Sequence, residues 1–91
     1  VDANQAAIVE ALRKFGATVQ SLAMVGQGTP DLLVGFRRQT YLMEVKDGSR
    51  IPSEQRLTAA EQRWHAVWFG GTLKTVRSVD EALAVIGVGH G

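Results

Sequence analysis

Cysteine is absent from these 91 residues. That excludes disulfides and thiolate metal sites, so any metal must be held by oxygen or imidazole ligands. No apolar run approaches the roughly 18 residues that a membrane-crossing helix needs. The opening stretch VDANQAAIVEALRK lacks the basic-then-apolar order of a secretory signal. Charge of one sign is scarce as well. Ten Lys and Arg against nine Asp and Glu leave a net charge of +1, which argues against a generic nucleic-acid-coating protein. Arg13, Lys14, Arg37, Arg38, Arg50, Arg56, Arg63, Lys74 and Arg77 are dispersed, and only the fold can gather them. The expectation is a soluble protein of the cytoplasm.

What is present is an ordinary globular balance, 45% hydrophobic and 21% charged. A chain of this size makes one domain, here 1–91, with a thin core that often gains stability by pairing with a second copy. Ile8, Ala11, Leu12 and Phe15 recur at helical spacing, with Asp2 or Asn4 as the cap and Gly16 as the stop. ATVQSLAMV (17–25) reads as a strand, and GQGTP breaks it. DLLVGF (31–36), almost wholly apolar, predicts a strand buried on both faces. YLMEVK (41–46) predicts its hairpin partner, with Arg37 to Thr40 as the turn.

Thr58 and Glu61 form a capping box for a helix whose buried stripe would be Leu57, Trp64, Val67 and Trp68. TLKTV (72–76) reads as a last strand. Ser78 and Glu81 form a second box for a closing helix through Val79, Leu83 and Ile86, and the tail VGHG should fray. The order helix, three strands, helix, strand, helix is an α/β domain with a central sheet flanked by helices.

The hairpin holds residues that a pure core would exclude. Glu44 and Lys46 lie two apart and share a strand face. A four-residue turn would set Asp31 opposite Lys46 and diagonal to Glu44, about 7–8 Å away. Two carboxylates at that separation can hold a divalent cation. Mg²⁺ or Mn²⁺ prefers hard oxygen ligands, and the carbonyl of Val45 is a further candidate. Lys46 could orient the attacking water or stabilise developing negative charge.

The segment TPDLLVGFRRQTYLMEVK, with Pro30-Asp31 and Glu44-Val45-Lys46, resembles the PD-(D/E)XK nuclease superfamily. More closely, it resembles the stand-alone VRR-NUC type of phages and prophages. The likeness includes the first helix, the Gly-x-Pro-Asp lead-in, Asp47-Gly48 and the Leu57-Thr58 helix start. It implies a PD-(D/E)XK (restriction-endonuclease-like) core with a mixed four-stranded sheet. It also implies a Mg²⁺- or Mn²⁺-dependent DNA endonuclease, a homodimer cutting branched DNA such as four-way junctions, in a bacterial or phage-infected cell. Asp31, Glu44 and Lys46 would be catalytic, with the Val45 carbonyl among the metal ligands.

The family often has a glutamate on the first helix, where this chain has Asn4, Gln5 and, further on, Glu10. It tends to carry a glutamine at the start of the helix after the Lys strand, where this chain offers Glu61 and Gln62. Gln5, Glu10 and Glu61 are helper candidates, and Gln62 is a catalytic one. Arg37, Arg38, Arg50 and Arg56 are candidate phosphate contacts.

Plainer readings stand beside these. Glu44 with Lys46 is also an ordinary ion pair on an exposed sheet, and Asp31 after Pro30 is also turn chemistry. His65 reads as a surface or packing histidine, and His90 as tail. Trp64 and Trp68 read as core or dimer surface. The alternative function is a catalytically silent nucleic-acid- or protein-binding module with the same fold.

Overall fold

Successive side chains of a strand point to opposite faces, and that decides how the sheet is laid down. The computed structural model describes residues 3–89. It contains α1 (Ala3–Lys14), β1 (Thr18–Ser21), β2 (Leu32–Phe36) and β3 (Gln39–Val45). A 3₁₀ turn (Pro52–Gln55), α2 (Ala59–Val67), β4 (Thr72–Val76) and α3 (Val79–Val85) follow. This is the expected order. Asp2 and His90, singled out in the sequence, lie outside the described residues. No helix among the described residues is long and apolar enough to cross a membrane.

The strands form one mixed sheet in the order β1-β2-β3-β4. The first three pair antiparallel in succession, whereas β4 lies parallel to β3. A parallel pair needs a crossover, and the 3₁₀ turn with α2 supplies it. One sheet face carries Val19, Leu32, Val34, Met43, Val45 and Val76. Ile8 and Leu12 of α1, four apart and therefore on one side of that helix, pack there beside Ala82, Leu83 and Ile86. Each such side chain taken fully out of water contributes about 1.5–3 kcal/mol, so this layer is the core.

The other face carries Leu33, Leu42 and Glu44, and α2 lies over only its β3 end. This corrects the expectation that β2 is buried on both faces: Leu33 is 38% exposed. The stripe expected on α2 also fails. None of that helix's residues is buried, and Val67 is 79% exposed. Periodicity shows which residues share a face but not what opposes it. Trp64 and Trp68, four apart on α2, stack on each other with ring centroids 5.0 Å apart.

Several boundaries move. α1 ends at Lys14, leaving Phe15 half-exposed. β1 ends at Ser21, and the chain from Leu22 to Pro30 turns back over the α2 start. Gly28 permits this approach. A Cβ there would sit 2.3 Å from the Ala60 carbonyl oxygen, and its φ of +86° disfavours other residues. The first capping box forms as expected. The second forms by half: Ser78 accepts from the Glu81 N–H, but the Glu81 carboxylate accepts from Arg77 N–H. In the tail expected to fray, Val88 N–H donates to the Leu83 carbonyl at 3.0 Å, and the last two residues, 90 and 91, lie outside those described.

Candidate active site

Register places the carboxylates. Phe36 pairs with Gln39, so the hairpin loop is Arg37-Arg38 alone, two residues where four were expected. Both adopt positive φ, 51° and 67°, the backbone of a type I′ turn. The pairing is thereby shifted by two residues. Because side chains repeat every two residues along a strand, the shift changes Asp31's partner without changing its face. Leu32 pairs with Met43, which sets Asp31 directly opposite Glu44 instead of diagonal to it.

One step further, the same register sets Pro30 opposite Val45. In a regular ladder, Val45 would exchange both its hydrogen bonds with that residue. Proline has no N–H, so the Val45 carbonyl loses its donor from β2. The Val45 N–H is satisfied differently, by Asp31 Oδ2 at 2.7 Å. Asp31 is anchored in turn through its own carbonyl, which accepts from Leu22 N–H at 2.8 Å. The Pro-Asp pair therefore ends the ladder and leaves a carboxylate and a carbonyl at one sheet edge.

Glu44 projects from the same face and is 1% exposed. Its carboxyl is pushed up to about 9, first by burial, then by a hydrogen bond with Asp31 and by the charges of Asp31 and Glu61. Lys46 offsets only part of this. Without a cation, burial and the neighbouring Asp31 favour the protonated form of Glu44. Against Glu44 lies His65, with Nε2 3.4 Å from Oε1.

Lys46 stands just beyond β3. Its Nζ donates to Glu61 Oε1 at 2.8 Å, and both side chains are mostly buried. Glu61 also accepts from Thr58 N–H at 2.8 Å, closing the capping box. Burial raises the Glu61 carboxyl, but the bonds from Lys46 and Thr58 outweigh it and hold the group below its usual range. The backbone of Lys46 is held too. Its N–H donates to Val76, and its carbonyl accepts from Asn4 Nδ2 at 3.0 Å.

Asp31, Glu44, the Val45 carbonyl, Lys46 and Glu61 thus converge. Of the other candidates, Gln62, Glu10, Arg37 and Arg38 do not join them. Gln62 donates to the Leu57 carbonyl and lines a groove with Arg56. Glu10 is exposed and pairs with Lys14 at 3.7 Å, while Gln5 is buried on the inner side of α1. Arg50 is near Lys46 but pairs with Asp47 and Glu54. Arg37 and Arg38 lie at the opposite end of the hairpin, about 17 Å or more from Glu44 at roughly 3.4 Å per residue. A groove of about 700 Å³ along α1, lined by Val9, Glu10, Arg13, Lys14 and Ser21, includes none of the converging residues.

His65, read from the sequence as a surface or packing histidine, is the residue that packs against Glu44. Its signal was present: it follows Glu61 by four residues and must share its helix face. Asn4, read as a cap, instead clamps the ends of β3 and β4 through the carbonyls of Lys46 and Arg77.

The donors fit a hard divalent cation. Two apposed carboxylates, one of them favoured neutral by burial, stand beside a carbonyl lacking its ladder partner. Among the described residues, no group of three or more His, Cys, Asp or Glu side chains could hold a metal. The remaining ligands would be backbone, water and phosphate, which suits Mg²⁺ or Mn²⁺.

A solved structure of a VRR_NUC domain matches this fold with a TM-score of 0.67 and 28% sequence identity, covering 90% of this chain and 88% of that one. No family model and no curated protein matches the chain.

Proposed function

With the VRR_NUC domain fold as the premise, we propose that this chain is a divalent-metal-dependent DNA endonuclease that hydrolyses phosphodiester bonds. The observation that carries the reading is the apposition of Asp31 and Glu44 on one face, with Lys46 two residues further along the same face. Asp31, Glu44 and the Val45 carbonyl would hold Mg²⁺ or Mn²⁺. When bound, such a cation supplies Lewis-acid stabilisation of phosphate charge and acidifies water.

The protein's own groups do the positioning. Asp31 is aimed by its bond from Val45 N–H, and Glu44 is enclosed beneath α2. Lys46 presents its ammonium beside them, steadied by Glu61. There it stabilises negative charge on the phosphate or orients the attacking water.

The finer reading is a homodimer that cuts branched DNA, with the four-way junction as its substrate. Two sites related by a two-fold axis suit a symmetric junction. Support for pairing comes from Val67, Trp68 and Phe69, consecutive apolar residues left in solvent, Phe69 wholly so.

The test is cleavage of labelled four-way junction, flap, single-strand and linear duplex DNA with Mg²⁺ or Mn²⁺, beside EDTA and Asp31→Ala controls. Paired symmetric cuts in the junction, lost in both controls, are expected. A folded protein that cuts none of these substrates overturns the nuclease reading.

A further inference from the structure

Beside Lys46, the sheet continues into a groove to which none of the converging residues belongs. Val45 pairs with Val76 in parallel register, so the next residues, Lys46 and Arg77, are neighbours about 4.8 Å apart across the strands. Counting by twos from Glu44 and Thr75, both project from the catalytic face. Lys46 turns toward Glu61, and Arg77 turns toward the 3₁₀ turn, where its Nε donates to Gln55 Oε1 at 3.0 Å.

The groove there has a volume of about 620 Å³. Its polar lining is Gln55, Arg56, Gln62, Thr75 and Arg77, with no carboxylate among the lining residues. That separates it from the neighbouring surface at Arg50, whose guanidinium is paired with Asp47 and Glu54. Glu81 approaches Arg77 but accepts from its backbone N–H, leaving the guanidinium free of that contact.

The walls are built. Gln55 Nε2 donates to the Arg50 carbonyl at 2.6 Å, which orients the amide oxygen that receives Arg77. Gly48 lets the loop lie against the end of β4. A Cβ on it would stand 3.1 Å from the Arg77 carbonyl oxygen and 3.2 Å from the Arg77 Cβ.

We propose that this groove is a phosphate subsite for a nucleic-acid strand passing the carboxylates, with Arg77 and Arg56 as anion contacts and Gln55 as the positioning residue. The inference rests on the nuclease reading and extends it. A strand whose scissile phosphate lies at Asp31, Glu44 and Lys46 carries its next phosphates along its backbone. The adjoining acid-free groove offers guanidinium and amide donors, the groups that bind phosphate oxygens.

The experiment measures binding of fluorescent single-stranded and four-way-junction DNA by anisotropy across a salt series. It uses a Lys46→Ala background with Mg²⁺ present, so that strands stay whole. Arg77→Gln is expected to bind several-fold more weakly, and its slope of log affinity against log salt should fall by about 0.7–0.9, the signature of one lost phosphate contact. Arg77→Lys, which keeps the charge, should retain most of the slope. Lys14→Gln, on α1 in the groove that includes none of the converging residues, should change neither quantity, and thermal melts confirm that each variant is folded.

Unchanged affinity and slope in folded Arg77→Gln and Arg56→Gln, with DNA still cut by the unsubstituted protein, would overturn the subsite and spare the nuclease reading. Unsubstituted protein that neither binds nor cuts any of the DNAs would overturn both.

Discussion

Lys46 and Glu61 are joined at 2.8 Å, and the same Glu61 oxygen takes the Thr58 N–H that starts α2. One carboxylate therefore ties the end of β3 to the first turn of the helix above it. Removing Lys46 and removing Glu61 should consequently have different effects. Lys46→Ala should abolish cleavage and leave fold and DNA binding largely intact, because Glu61 keeps its cap bond. Glu61→Ala should lose about 1 kcal/mol through the cap and lower kcat, since the Lys46 ammonium loses its anchor. Thermal melts and single-turnover cleavage separate the two. A Lys46→Ala protein that fails to fold would make the lysine structural.

Glu44 yields a pH prediction. Its carboxyl is about 9 in the fold because of burial and of Asp31 beside it, against an ordinary value of 4.5. A group raised in the folded state contributes fully below the unfolded value, and that stability is lost as pH rises toward the folded value. The metal-free protein should therefore weaken between about pH 4.5 and 9, by up to about 1.4 kcal/mol per pH unit. Glu44→Gln should not show this decline. In EDTA at pH 8 it should melt higher than the unsubstituted protein, yet be inactive with Mg²⁺. Equal melting temperatures at pH 8 would mean that Glu44 is not held neutral.

The hairpin tip offers a stability gain away from the carboxylates. Arg37 and Arg38 both sit at positive φ, a backbone that Asn-Gly adopts more readily. Arg37→Asn with Arg38→Gly should stabilise the chain by about 1 kcal/mol and leave kcat unchanged. Chemical denaturation and steady-state cleavage check both halves. A rise in KM alone would place the tip in the DNA footprint.

Gly28 is where the loop before Asp31 meets α2. Gly28→Ala would drive a Cβ to 2.3 Å from the Ala60 carbonyl oxygen at a φ of +86°. A loss of about 2 kcal/mol or more is expected. Activity should fall with it, because the shifted loop carries Pro30 and Asp31 away from β3. Full activity and an unchanged melting temperature would show that α2 yields freely.

Much of the fold was legible because its signals are local. A β-rich run beside DLLVGF marked β3, capping residues marked the starts of α2 and α3, and Pro-Asp with Glu-x-Lys marked the carboxylates. Register was less legible. Arg-Arg is not a turn signature, so the sequence suggested a longer loop, and only pairing of Phe36 with Gln39 shows the two-residue turn. Glu61 was ambiguous for a different reason: capping Thr58 and holding Lys46 are both performed by the same oxygen.

The sequence by itself determined the element order, the face shared by Glu44 and Lys46, and the chemical types available to the site. Those follow from backbone periodicity and from functional groups, which need no partner to be defined. Tertiary structure alone decided that Asp31 faces Glu44 directly, that His65 closes over it, and that Arg77 stands beside Lys46. It also left α2 without a buried stripe. Each of these depends on which strand or helix lies opposite, and contacts between residues distant in the chain are set by packing, not by local pattern.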